Sequence, residues 1–142
     1  QRKLVDINYY IYGSTKYLDK YGIPKTINDL NKHRFISFGK GAPSPVFNPD
    51  WALKLGVKDN KKRKSIMKVN SVMGLLLAVE SGVGLAALPE YLVSNSNNVI
   101  KVLPDYVGPI TEAHFVYPES LKNVARVKAF RNFLYSKIGD WK

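Results

Sequence analysis

Cysteine is missing from all 142 residues. That excludes disulfides, thiolate nucleophiles and thiolate metal sites, and it suits a reducing compartment. Histidine is nearly as scarce. His33 and His114 are the only two, they fall in different predicted elements, and neither belongs to a metal-ligand spacing. His33, in the basic context Lys32-His33-Arg34, reads as a surface or packing residue, and His114 as a structural residue of a strand. The 11 acidic residues are scattered, so no local carboxylate pair points to acid–base chemistry. No G-x-S-x-G elbow occurs. Long apolar runs are also lacking: the stretch Val69–Pro89 is interrupted by Asn70, Ser71, Glu80, Ser81 and three glycines, which is unsuited to a membrane-crossing helix. No signal-like apolar run opens the chain. The expected compartment is the cytoplasm, and no catalytic residue, cofactor or metal is expected.

What is present is a globular composition, 45% hydrophobic and 23% charged, which argues against general disorder. The length fits one domain or an incomplete pair of lobes. The 22 basic residues give a formal charge of +11, which attracts polyanions without regard to sequence. The densest cluster, Lys58, Lys61, Lys62, Arg63 and Lys64, reads first as a solvated loop. A nucleic-acid or partner contact and an anion site are the alternatives. No aromatic residue interleaves with these lysines, so no stacking platform is indicated.

The alternation over residues 4–12 predicts one strand. Ser14 caps a short helix that Gly22 closes, and Thr26 caps a helical element near Ile27–Leu30. Residues 34–38 form a second strand, Gly39–Pro49 a loop rich in glycine and proline, and Pro49–Leu55 a short helix with Trp51, Ala52 and Leu55 inward. Residues 56–64 read as a hairpin or exposed connection and 65–69 as a third strand. Asn70 or Ser71 then caps a helix to about Glu80, apolar over most of its circumference and so expected to be buried against a sheet. Gly82-Val83-Gly84 ends it, residues 85–88 form a buried strand, and Pro89 opens a further helix. This strand–helix–strand order over Ile66–Leu88 is a crossover unit. Residues 99–103 and 112–117 are further strands. A closing helix over Leu121–Ile138 carries the stripe Leu121, Val124, Val127, Phe130 and Leu134.

Gly39-Lys40-Gly41 and Gly82-Val83-Gly84 are fragments of phosphate-loop and dinucleotide fingerprints and lack their context. What remains is a site made largely of backbone. A helix beginning near Ser71 offers free N–H groups to a small anion or organic acid, Ser37 adds a hydroxyl, and the Gly39–Pro45 loop could close over the ligand. That Asn70 and Ser71 only cap the helix is the competing reading.

Four ordered segments resemble one family. Asn70-Ser71 through Val79, followed by Ser81-Gly82-Val83-Gly84-Leu85-Ala86-Ala87-Leu88-Pro89-Glu90-Tyr91-Leu92-Val93, resembles the effector-binding domain of LysR-type transcriptional regulators. Tyr10-Ile11-Tyr12-Gly13-Ser14-Thr15-Lys16-Tyr17-Leu18 is similar to its "ASPAYL" segment. Asn28-Asp29-Leu30 with His33-Arg34-Phe35-Ile36 is similar to "DLAAHRCI". Phe115-Val116-Tyr117-Pro118 with Val127-Lys128-Ala129-Phe130-Arg131-Asn132-Phe133-Leu134 is similar to "LVYP" and "VRAFIDFL".

The resemblance implies an α/β fold of the periplasmic-binding-protein-like type 2, mainly its second lobe, with a mixed sheet flanked by helices. It implies residues 1–110 as that second lobe with the entering crossover strand. Residues 111–142 would be the strand and C-terminal helix that return to the first lobe. The rest of that lobe and the helix-turn-helix are expected to be absent. A small organic or anionic effector is expected in the interlobe cleft, touched by Ser37, Phe38 and Gly39 after the "HR" strand and by Asn70 and Ser71 at the helix start. Gly84 and the Leu88–Pro89 turn match residues that shape the lobe. The family's redox-sensing cysteines have no counterpart. DNA contact is expected only through the missing helix-turn-helix, no membrane contact is expected, and homo-oligomers are. An incomplete first lobe would leave the strand Glu112–Tyr117 and the stripe Leu121–Leu134 to be covered by a symmetry mate, a swapped segment or refolding. The rival functions are a non-sensing remnant that pairs with a homologous regulator and a periplasmic-type solute-binding protein.

Overall fold

The structure is a computed structural model, and residues 1–39, 48–59 and 61–138 are described. They divide into two units, a larger one over Asn8–Pro109 and a smaller one made of Gln1–Ile7 with Ile110–Lys142.

The single strand expected over residues 4–12 is two. β1 (Arg2–Ile7) pairs antiparallel with β7 (Thr111–Phe115), whereas β2 (Tyr9–Ser14) pairs with β5 (Ala86–Pro89) and β6 (Val99–Val102). The change falls at Asn8, whose carbonyl accepts the Glu90 N–H at 3.0 Å. Local alternation could not show this, because both halves have strand chemistry and only their partners differ.

In the larger unit β2 is the central strand of the order β5-β2-β6. Five of its six residues are buried, as expected for a strand covered on both faces. Ser14 ends it and caps α1 (Thr15–Tyr21), its Oγ accepting the Tyr17 N–H at 3.3 Å, and Gly22 closes that helix at φ +84°. Thr26 and Asp29 form a capping box on a 3-10 turn over Ile27–Lys32; the Asp29 carboxylate takes the Thr26 hydroxyl and the Thr26 and Lys25 N–H groups, which hold its pKa below the usual range. β3 (Phe35–Phe38) and β4 (Ser65–Val69) pair in parallel. Between them α2 spans Trp51–Lys54, with Trp51, Ala52 and Leu53 buried. Leu55, expected inward, lies past the helix end and is half-buried.

Between β4 and β5 runs α3 (Val72–Glu80). Leu75, Leu76 and Val79 are buried against Tyr12, Ile36, Ala86, Leu88 and Val93 to form the core. The helix is less enclosed than its composition suggests, for Met73 and Leu77 are 53% and 56% exposed. Gly82 leaves the helix at φ +80°. Two residues later a Cβ on Gly84 would stand 2.6 Å from the Arg34 carbonyl oxygen. That close approach lets Leu85 N–H reach Arg34 O and Ile36 N–H reach Leu85 O, each at 2.8 Å. The resulting parallel bridge Phe35–Leu85 ties β3 to the segment leading into β5. The crossover expected over Ile66–Leu88 is therefore present, with β3 lying between its two strand ends. Pro89 caps α4 (Glu90–Val93).

The smaller unit, taken by itself, is a two-stranded ribbon and a helix. The closing helix starts later than expected. A 3-10 turn over Glu119–Leu121 continues in three-residue hydrogen bonds to Val124, and only then does α5 (Ala125–Ile138) begin. Phe115 stacks edge-on with Phe130 and Tyr135 Oη donates to Lys3 O at 3.0 Å. Leu121, Val124, Val127 and Leu134 are half-buried, while Phe130 is 54% exposed. Among the described residues of this unit only Ile138 is buried.

Candidate functional site

Parallel strands deliver their carboxyl ends side by side, and in open α/β sheets ligands bind beyond those ends. Here the two ends are Phe38 and Val69, directly paired. The Gly39 N–H extends the ladder by one bond, donating to Val69 O at 2.9 Å. This draws together residues far apart in the chain: a Cβ on Gly39 would stand 3.8 Å from the Asn70 Cβ, ordinary contact distance. Ser37, Phe38, Gly39, Asn70 and Ser71, predicted from sequence as effector contacts, are thus neighbours within the larger unit. Lys40 to Pro45, predicted to close over the ligand, lie outside the described residues.

The five differ in how committed they are. Ser71 is the N-cap of α3, its Oγ accepting the Gly74 N–H at 3.3 Å and its carbonyl the Leu75 N–H at 3.0 Å. The N–H groups of Val72 and Met73 are the ones a first turn leaves without intrahelical partners. Asn70 is exposed, and its amide makes no hydrogen bond among the described residues. Ser37 is buried, its Oγ donating to Ser65 Oγ at 2.9 Å. Phe38 is half-buried at the strand end.

Among the described residues two hollows adjoin Ser37 and Phe38. One, of about 30 Å³, is bordered by Tyr9, Ile36, Trp51 and Val72 among others, room for a water or two and no organic ligand. Trp51, 8% exposed, lines it, and its Nε1–H is buried without a hydrogen-bond partner among the described residues. The other, of about 260 Å³, is bordered by Asp50, Leu53, Lys62, Arg63, Lys64, Ser65 and Lys68, close to the lower end of ligand-site sizes.

The basic cluster read as a solvated loop has one member that is nothing of the kind. The Arg63 guanidinium donates to Leu55 O at 2.7 Å, Ile27 O at 3.3 Å and Asn31 Oδ1 at 2.8 Å. The Arg63 N–H donates to Leu53 O at 2.9 Å. Burial lowers the Arg63 pKa from its ordinary value. Lys62 pairs with Asp50, while Lys64 has no ion pair among the described residues. Nothing in a run of lysines distinguishes the one arginine that finds carbonyls; the only sequence signal was the planar, five-donor side chain itself.

Of the two histidines, His33 is half-buried, its Nδ1 3.2 Å from the Tyr17 hydroxyl, which also accepts the Arg34 N–H at 2.8 Å. Burial lowers the His33 pKa, with Asp29 opposing. His114 is on the exposed face of β7, 3.5 Å from Glu112. Among the described residues no group of His, Asp and Glu could hold a metal ion, and no helix is long and apolar enough to cross a membrane.

Comparison with known proteins places this geometry. The LysR substrate binding domain family matches residues 1–138. An uncharacterized HTH-type transcriptional regulator of Haemophilus influenzae is 30% identical over 121 residues, 82% of this chain and 41% of the relative. The HTH-type transcriptional regulator CrgA of Neisseria meningitidis is 26% identical over 147 residues, 98% of this chain and 46% of that protein. The chain thus spans less than half the length of the curated relatives it matches. In three dimensions the CrgA regulatory domain, a LysR-type regulator of N. meningitidis, superposes with a TM-score of 0.71 at 23% identity, over 96% of this chain and 67% of that one. This last likeness speaks for the fold alone. The helix-capped parallel strand ends, the mixed sheet and the match over nearly the whole length lead to one assignment: the chain belongs to the LysR substrate-binding-domain family, of the periplasmic-binding-protein-like type 2 fold.

Proposed function

We propose that the chain is the effector-sensing part of a DNA-binding transcriptional regulator, and that Ser37, Phe38, Gly39, Asn70 and Ser71 contact a small organic or anionic effector. The observation that carries this reading is the Gly39–Val69 hydrogen bond at the paired strand ends, which brings Gly39 beside the exposed Asn70 at the start of α3. An effector carboxylate there would meet uncommitted N–H groups and the positive end of the helix dipole. DNA contact belongs to a helix-turn-helix of the longer regulator, and the working form is a homo-oligomer. In this reading residues 1–110 are the second lobe of the effector domain together with its entering crossover strand, and residues 111–142 return to the first lobe.

The test is calorimetric titration of the chain with small organic acids, amino acids and inorganic anions, followed by variants of the two polar groups. Asn70→Ala is expected to weaken effector binding and leave stability nearly unchanged. Ser71→Ala is expected to cost about 1 kcal/mol of stability through the lost cap as well as affinity. If every ligand that binds does so equally well in both variants, the site lies elsewhere. If none binds, the sensing reading fails.

A further inference from the structure

β4 is irregular in a way that bears on ligand chemistry. Phe35 lies opposite Ser65, but Ile36 lies opposite Met67, so Ile66 is an extra residue in the ladder. In a regular strand residues three apart point to opposite faces. The extra residue brings Ser65 and Lys68 onto the same face. Ser37, directly paired with Lys68, shares that face, and all three border the hollow of about 260 Å³.

The polar groups around this hollow are unequal in what they have left to give. Four cationic side chains border it against one carboxylate. Lys62 is neutralised by that carboxylate, Asp50, and Arg63 spends its guanidinium on carbonyl oxygens and Asn31. Lys64 and Lys68 have neither ion pair nor hydrogen bond among the described residues. The Ser37 and Ser65 hydroxyls share one hydrogen bond, and two hydroxyls joined by one bond keep one O–H to donate. Two ammonium groups and a free hydroxyl proton around one small concavity are donors, and among the described residues the one carboxylate set against them, Asp50, is already paired with Lys62. An oxyanion satisfies each of them: lysines serve as point charges for phosphate or carboxylate, and bonds to a charged oxygen are about twice as strong as neutral ones.

We propose that this hollow is a binding site for a small ligand with a compact oxyanion group, phosphate or carboxylate, held by Lys64 and Lys68 and by the Ser37–Ser65 hydroxyl pair. It uses a strand face instead of the start of α3, and of the effector contacts proposed above it takes in Ser37 as a holding group and Phe38 as a bordering side chain. The volume admits a small metabolite or the inorganic ion, and no long chain.

The experiment is isothermal titration of the chain with inorganic phosphate and, separately, with citrate, at ionic strength held constant with sodium chloride, and with glycerol as the neutral control. One saturable site is expected for an oxyanion and none for glycerol. Phosphate against citrate tells which head group is preferred. The double variant Lys64→Gln/Lys68→Gln is expected to lower the affinity about tenfold or more, and Ser65→Ala severalfold. The distant pair Lys25→Gln/Lys128→Gln, matched in charge change, is expected to leave it unaltered, as is Ser71→Ala, which separates this site from the effector reading. All four lysines are exposed, so the variants should fold, which thermal unfolding checks. Equal loss in both double variants would mean diffuse charge attraction and overturn the proposal. So would the absence of saturable binding of either anion, or binding confined to duplex DNA.

Discussion

At the scale of single residues, Arg63 does more than its neighbours suggest. Its guanidinium bonds to Leu55 O, Ile27 O and Asn31 Oδ1 join three segments that share no strand ladder. Removing it takes a charged donor away from the half-buried Leu55 and Ile27 carbonyls, and a hydrogen bond to a charged group contributes about 1.5–3 kcal/mol. Arg63→Ala is therefore expected to lower stability by about 2–3 kcal/mol in urea unfolding, and Arg63→Lys to recover little of it, because an ammonium cannot span the same fork. A lysine that restored full stability would show that charge alone is needed. His33 supplies a pH dependence. Burial lowers its folded pKa below the roughly 6.5 of an unfolded histidine. Between those values the unfolded chain holds more protons, so stability rises with pH there and falls on acidification through about pH 6.5. His33→Gln is expected to flatten the dependence of the melting temperature on pH below about pH 6.5; an unaltered slope would assign the effect to other groups.

At the scale of elements, the larger unit contains the buried core and the smaller one, by itself, a two-stranded ribbon under α5 with little buried apolar surface. Such ribbons are marginal alone. Amide exchange is expected to be fast across β1, β7 and α5 and slow across β2 and α3, and uniform protection would contradict it. How much of this was readable beforehand depends on whether an element's determinants are local. Ser14, Thr26 and Ser71 cap the elements their positions announced, since a cap needs only its next three residues. The break at Asn8 and the Ile66 bulge were not readable, because each is decided by a partner distant in sequence; the 3-10 entry to α5 is held by local three-residue hydrogen bonds that an apolar stripe does not distinguish from an α-helical turn. The same division runs through the candidate site. Ser37 and Ser71 were picked out by their chemistry and, with Phe38, Gly39 and Asn70, by family resemblance, and their adjacency follows from one parallel register. The hollow beside Ser65 and Lys68 had no local signature, since its donors share a face only through the bulge.

At the scale of the whole chain, the charge of +11 acts regardless of fold. Weak binding to duplex DNA is expected, losing affinity steeply with salt as counterion release demands. Filter binding across a salt series checks this, and sequence-selective binding that survives physiological salt would refute it. The Arg63 tether has a further corollary for protein engineering. It fixes where β4 begins from the far side of the exposed Lys58 and Asp59, so a residue added beside those two leaves the start of the strand in place. A polar insertion there should be accepted at only about 0.6 kcal/mol per doubling of the loop, which makes it a natural port for a tag or a fluorescent reporter.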